Sequence, residues 1–312
     1  MTTIQLPRKA LLTTVLLAVM LVAGCAPQPT PAATKQPTHA ATVTAEPTLT
    51  PTGALTPTPT ETAIPTATPD TRLKPEAWQE WPVIPDLEPT AFEVYALGQE
   101  LGRDSRVFSV IGDCQSSPTY FLSKYDENRY TLPEGEEALQ ETIDWYAGSF
   151  VHRSITVKNG MTAPGALNPY WSDPDLCETK ETPVACEVRL SNPSLALISL
   201  GTNWNPSTSQ ENYIAYLNQI VDILLERGVL PVLSTKADNT EGDYSRNLAM
   251  AQVAYDRHLP LWNFWATVQD LPNGGLDKDR ENVYLNYQGW DIRNLSALEL
   301  LDSLRQQLTH AE

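Results

Sequence analysis

The sequence predicts an α/β domain, a parallel five-stranded sheet between helices, on three observations. Five short apolar runs bounded by turn residues read as buried strands: 107–111, 154–157, 195–200, 229–234 and 260–264. Helical patterns lie between the last three and after them, and this alternation of strand and helix argues for a parallel sheet covered on both faces. The roughly 240 residues from Arg72 onward are enough for one large α/β domain with a full core.

Residues 1–25 read as a secretory signal ahead of that domain. Arg8 and Lys9 make a short positive start, and Leu11 to Ala23 an apolar run. The run is short for a bilayer span and closes with Val22-Ala23-Gly24-Cys25. This ending resembles a bacterial lipobox. The resemblance implies diacylation of Cys25, cleavage in front of it, and an extracytoplasmic protein held to the cell membrane by its lipids.

Residues 26–71 form a linker. Between 26 and 70 there are ten prolines and 14 threonines, with only Lys35, Glu46, Glu61 and Asp70 charged. Too little apolar surface is present to offset the entropy of ordering, so disorder is expected. At about 3.1 Å per residue, a fully extended Pro-rich tether would reach roughly 140 Å. The globular domain is expected over 72–312.

Charge narrows the partners. Of 21 basic and 38 acidic side chains, four and three fall in the first 72 residues, leaving a net charge near −18 on the remainder. Such a surface excludes nucleic acid and is a poor match for anionic headgroups. No cofactor motif is present. Cys177 and Cys186 bracket a short polar loop, and in an oxidising compartment they are expected to form a disulfide. Cys114 is left without an obvious partner.

The helices follow in order. In ENYIAYLNQIVDILLERG, Tyr213, Tyr216, Leu217, Ile220, Ile223 and Leu224 fall at i, i+3, i+4, i+7 spacing, and Gly228 stops the helix. A second helix is predicted over 244–258 and a last one over 289–308. Ligand sites in such folds lie at the carboxyl ends of the strands. There the sequence places Gly112-Asp113-Cys114-Gln115-Ser116, Asn159-Gly160, Gly201-Thr202-Asn203-Trp204 and Glu281-Asn282-Val283-Tyr284.

In this order and spacing, over roughly residues 105–305, these turns resemble the SGNH (GDSL-like) hydrolase superfamily, whose parallel five-stranded sheet has flavodoxin-like layering. The resemblance implies acyl-ester chemistry. The nucleophile is the serine of a GDS turn, a following glycine and the asparagine of a GxND turn complete an oxyanion hole, and a DxxH turn supplies the base. Carried over residue by residue, Gly112 and Asp113 match the first turn, but Cys114 replaces the serine. Gly160 and Asn203 match the oxyanion donors, while Trp204 replaces an aspartate. The DxxH positions fall on Glu281 and Tyr284, so the histidine is missing.

A thiol at its ordinary pKa of about 8.5 is only slightly ionised near neutral pH, so a cysteine nucleophile wants a histidine close by. His39 falls in the linker, His152 and His258 immediately precede predicted strands at the opposite edge, and His310 lies past the final helix, about 30 Å from its start. Ser116 or Ser117 could act as nucleophile instead, but both stand at a helix start, where capping is the commoner role for serine. A calcium site from Asp277, Asp279 and Glu281 lacks the glycine and terminal glutamate of the known loop, so a solvated turn is expected and no metal. Tyr170, Trp171 and Trp204 are loop aromatics near the site edge, read either as packing or as platforms for a sugar ring.

Two functions follow. In the first, the domain has lost the Ser/His pair and binds an acylated or cell-envelope glycan ligand without hydrolysing it. In the second, it is a divergent acyl-ester hydrolase or acyltransferase with Cys114 as nucleophile, assisted by Tyr284 and Glu281.

Overall fold

The computed structural model describes residues 70–309. The signal segment with Cys25, nearly all of the Thr/Pro-rich linker, and both His39 and His310 lie outside the described residues. Helices in chain order are α1 (Pro89–Glu100), α2 (Leu139–Trp145), α3 (Ala163–Ala166), α4 (Pro183–Ser191), α5 (Gln210–Leu225), α6 (Ser245–Arg257), α7 (Phe264–Thr267) and α8 (Tyr287–Thr309). Strands are β1 (Asp104–Gly112), β2 (Pro193–Ser199), β3 (Leu230–Ser234) and β4 (Leu261–Trp262). They pair in the order β1-β2-β3-β4, and every pairing is parallel.

The sheet therefore has four strands among the described residues, not the expected five. The run at 154–157 contributes a single parallel bridge, Val157 to Gly112. Side-chain oxygens explain the shortfall. Ser154 Oγ accepts the Thr156 N–H at 3.1 Å, and the Val157 N–H turns back to the Ser154 carbonyl at 3.1 Å, so the segment closes on itself instead of extending. It still meets the edge of β1: Thr156 Oγ1 donates to the Val110 carbonyl at 2.8 Å, and the Gly112 N–H donates to the Thr156 carbonyl at 3.3 Å. Upstream, the Phe108 N–H donates to Ser149 Oγ at 3.4 Å, and Trp145 Nε1 donates to the Ser105 carbonyl at 3.0 Å. The run thus flanks the outer edge of β1 without adding a strand to the sheet.

Residues of β1 and β2 face helices on both sides. Phe108 packs edge-on against Tyr146 and Phe150, which follow α2, whereas the next residue, Ser109, donates to Glu187 of α4. Leu195, Ala196, Leu197 and Ile198 of β2 are all buried, the signature of a strand covered on both faces. Pro231 sits in β3 at a position that pairs only with β2, before β4 begins, so its missing donor leaves no gap.

In α5, Ser209 caps the first turn by accepting the Asn212 N–H at 3.2 Å, and Tyr213, Leu217, Ile220, Val221 and Leu224 form its buried stripe. Gly228 ends the element at φ +63°, and its position is tight as well as twisted: a Cβ there would lie 2.6 Å from the Gly98 Cα of α1. The final helix begins two residues before its predicted start. Gly289, Arg293, Ala297, Leu300, Leu301, Leu304 and Leu308 form its buried side. Cys177 and Cys186 form the expected disulfide. No helix among the described residues is long and apolar enough to cross a membrane.

Candidate functional site

All strands run the same way, so the turns after β1, β2 and β3 and the segment before α8 meet at one edge. The first turn is built tightly. Beyond Gly112, the Asp113 carboxylate accepts the Gln115 N–H at 2.9 Å and caps a 3-10 turn over Cys114–Ser116. The turn folds back so closely that a Cβ on residue 112 would lie 2.3 Å from Ser116 Oγ, which requires glycine.

A buried arginine from α8 locks this turn. Arg293 Nη1 donates to the Gln115 carbonyl at 2.6 Å and Nη2 to Ser199 Oγ at 2.9 Å. Burial lowers its pKa to about 10, against the nearby Asp113 charge, so it stays cationic at neutral pH. Burial likewise raises Asp113 to about 6, opposed by the Gln115 N–H and the Arg293 charge. The Gln115 side chain donates to the Val283 carbonyl at 3.1 Å and so ties the turn to the segment before α8.

Above the turn opens a cleft of about 510 Å³. Cys114, Gly160, Asn203 and Tyr284 all line it, with Arg280 and Trp290. Tyr284 and Cys114 line it together, close enough for the Tyr284 hydroxyl to favour the Cys114 thiolate. Burial raises the thiol pKa and the Asp113 charge adds to this; the Tyr284 hydroxyl and the local backbone N–H groups act the other way without prevailing. Tyr284 is itself raised, first by the charge of a Cys114 thiolate and then by burial, with Arg280 opposing. The Arg280 guanidinium stacks 3.7 Å from the Tyr284 ring centroid. Asn203 Nδ2 is buried without a hydrogen-bond partner.

Most of the other residues singled out in the sequence lie elsewhere. Trp204 does not line the cleft; its Nε1 donates to Thr240 Oγ1 at 3.3 Å, and the Arg246 guanidinium lies 4.9 Å from its ring. Glu281 lines a separate cleft on the far side of its own turn. His152 Nε2 lies 2.8 Å from Glu187, and His258 Nδ1 lies 2.6 Å from Glu88. Both imidazoles are thus engaged away from Cys114. Ser116 is buried, with its Oγ 3.4 Å from Arg293, while Ser117 lines the cleft. Tyr170 is 91% exposed, and Trp171 packs beside Gly160 against the core. Asp277 caps the turn over Lys278–Arg280 by accepting the Asp279 N–H at 3.0 Å. Its carboxylate does not converge with those of Asp279 and Glu281: among the described residues, the one grouping with metal-ligand spacing is Cys177, Glu181 and Cys186, two of which share the disulfide.

Sequence reasoning missed Arg280, Trp290 and the buried supports. Arg293 carried a signal: it stands four residues from both Gly289 and Ala297 on the buried side of α8, where an arginine requires a purpose. Lys236 carried another, being a charge two residues past the end of β3. Its Nζ donates to Asp238 Oδ1 at 2.7 Å and to Glu241 Oε2 at 2.6 Å, and all three side chains are buried.

No protein-family model matches this chain, and no curated protein matches it. Among solved structures it is similar to a GDSL-like lipase from Bacteroides thetaiotaomicron, at 12% sequence identity and a TM-score of 0.40, over 69% of this chain and 98% of that one. The site is read from its own geometry.

Proposed function

We propose that the Cys114 cleft receives the carbonyl of an acylated ligand and holds it without cleaving the ester. The observation that carries this reading is Asn203 Nδ2, a buried donor with no partner, in the same cleft as Cys114 and Gly160. An orphaned donor costs about 1–3 kcal/mol, and a ligand carbonyl oxygen would relieve that cost. The retained donor set favours a carbonyl as the group received.

Cleavage would need a thiolate that attacks the carbonyl and a base that takes the thiol proton. Both requirements go unmet at neutral pH. Burial and Asp113 hold Cys114 in its protonated form, and Tyr284, itself raised, is no acceptor for that proton. The two histidines among the described residues are occupied by Glu187 and Glu88. We further propose that diacylated Cys25 and the Thr/Pro-rich linker present this domain outside the cell membrane.

Thiol alkylation tests the reading. The rate at which the full chain's Cys114 reacts with a neutral alkylating reagent is expected to rise only above about pH 8.5, with no turnover of a p-nitrophenyl acyl ester. A rate already level near pH 6, together with ester turnover lost in Cys114→Ala, would replace it with a cysteine hydrolase.

A further inference from the structure

The turn before α8 divides two clefts. Leu276 and Leu285 bridge antiparallel at its base, and the Asp277 N–H donates to the Tyr284 carbonyl at 2.8 Å. Arg280 and Tyr284 face the Cys114 cleft, whereas Glu281 and Asn282 line a second one of about 460 Å³. That volume lies within the range of small-molecule sites.

The second cleft has an unusual wall. Of nine non-glycine residues at positive φ among the described residues, four line it: Tyr244 (54°), Asn273 (57°), Glu281 (59°) and Asn282 (56°). The asparagines adopt this conformation readily; a tyrosine and a glutamate do so at a cost of about 1–3 kcal/mol each. Backbone strain collects where the surrounding structure holds side chains in set positions for function.

The polar side chains of this wall are mostly amides: Asn239, Gln269, Asn273 and Asn282 bring four carboxamides, and Thr240 adds a hydroxyl. Asn239 Oδ1 accepts the Tyr244 N–H, Gln269 Nε2 donates to the Trp265 carbonyl and Asn273 Nδ2 donates to Asn282 Oδ1, which leaves the Asn282 amide N–H groups and the Gln269 carbonyl for a ligand. Tyr244 and Trp265 form an aromatic corner, with ring centroids 5.9 Å apart and planes at 79°. The Trp265 indole N–H is buried without a partner. Glu281 is the sole charged side chain in the lining, so an anion has no counter-charge there, and a hard cation would find one carboxylate where it normally takes several. Paired donors and acceptors beside flat apolar rings match a ligand with hydroxyls on its edge and C–H groups on its face.

We propose that this second cleft is a binding site for a neutral saccharide. Asn282, Gln269 and Glu281 meet its hydroxyls, and the Tyr244–Trp265 corner meets its ring. The site is distinct from the Cys114 cleft, and the inference stands whether or not that cleft holds an ester.

The test titrates the full chain by calorimetry with four neutral oligosaccharides: cellohexaose, xylohexaose, mannohexaose and chitohexaose. At least one is expected to saturate the protein with a dissociation constant below about 1 mM. Asn282→Gly keeps the left-handed backbone while removing the amide, and Gln269→Ala removes an exposed one. Each is expected to weaken binding roughly fivefold, the loss of one neutral hydrogen bond, with melting temperatures unchanged. Arg280→Ala, on the other face of the turn, is expected to leave affinity as it was. The proposal is overturned if none of the four binds, or if Asn282→Gly binds as tightly as the parent. It is also overturned if Arg280→Ala abolishes binding, which would put the sugar in the Cys114 cleft. Should Gln269→Ala melt early, Asn282→Gly alone decides.

Discussion

His152 holds the carboxylate of Glu187 in the interior of the fold, with Nε2 2.8 Å from Oε1, while the Ser109 hydroxyl and the Ile155 N–H donate to the same group at 2.5 and 2.8 Å. Glu187 is 2% exposed, yet its pKa is lowered: burial raises it, and the His152 hydrogen bond, the His152 charge and the other donors more than reverse that. The pair therefore keeps its charge inside the protein and joins α4 to the segment beside β1.

Stability should follow this pair in two directions. The His152 pKa is raised, chiefly by the Glu187 hydrogen bond, so its contribution is complete below about pH 6.5 and is lost as pH rises through the folded value. The Glu187 pKa is lowered, so its contribution is present above about pH 4.3 and is lost as pH falls through the folded value. Melting temperature is expected to be highest between these limits and to fall toward pH 9. In His152→Gln the decline from pH 6.5 to 9 should flatten. An equal decline in both proteins would show that the pair does not set it.

The reactivity of Cys114 is balanced between neighbours of opposite effect. Tyr284 stabilises the thiolate through its hydroxyl, and Asp113 disfavours it through its charge. Tyr284→Phe should move the onset of alkylation to higher pH, and Asp113→Asn, which can still cap the turn, should move it lower. Shifts of the same sign in both variants would show that changed access, not charge, governs the thiol.

Lys236 is the cation between two buried carboxylates, and Asp238 also accepts from Thr202 Oγ1 at 2.7 Å. Lys236→Met keeps the length of the chain but leaves both acids unpaired. A loss of about 3–5 kcal/mol is expected, read from the urea midpoint, and it should shrink in Lys236→Met/Asp238→Asn/Glu241→Gln. A cost below about 1 kcal/mol in the single variant would mean that water already reaches the cluster.

Lipid attachment is checked on the protein from its native host. Mass spectrometry is expected to find an N-terminal peptide that begins at Cys25 and carries a diacylglyceryl group, and Cys25→Ser should abolish it. An unmodified N-terminus at another position would remove the anchor from this account.

The sheet was legible where local and tertiary demands coincide. The apolar runs of β1 to β3 have no other place to go, and the stripe of α5 with its Gly228 stop fixed that helix closely. The run at 154–157 misled because Ser154 and Thr156 can satisfy backbone groups locally, a competition that apolar pattern does not record. Within the site, Cys114, Gly160, Asn203 and Tyr284 could be brought together from strand ends alone, since parallel strands deliver their following turns to one edge. Glu281 could not be placed that way: its left-handed φ turns it to the opposite side of the turn from Tyr284, three residues on. Arg280 was hidden for a different reason, as one charge among several in a polar segment.

The outer margin of β1 has a consequence for how copies of this chain meet. An unpaired strand margin offers free N–H and C=O groups, and an incoming strand can extend the sheet there. Here the Ser149 hydroxyl takes the Phe108 N–H, the Thr156 hydroxyl supplies the Val110 carbonyl, and the Thr156 carbonyl takes the Gly112 N–H. A segment too polar to become a strand thus does a strand's protective work one bond at a time. A second molecule approaching that margin finds no template for polymerisation at these three residues.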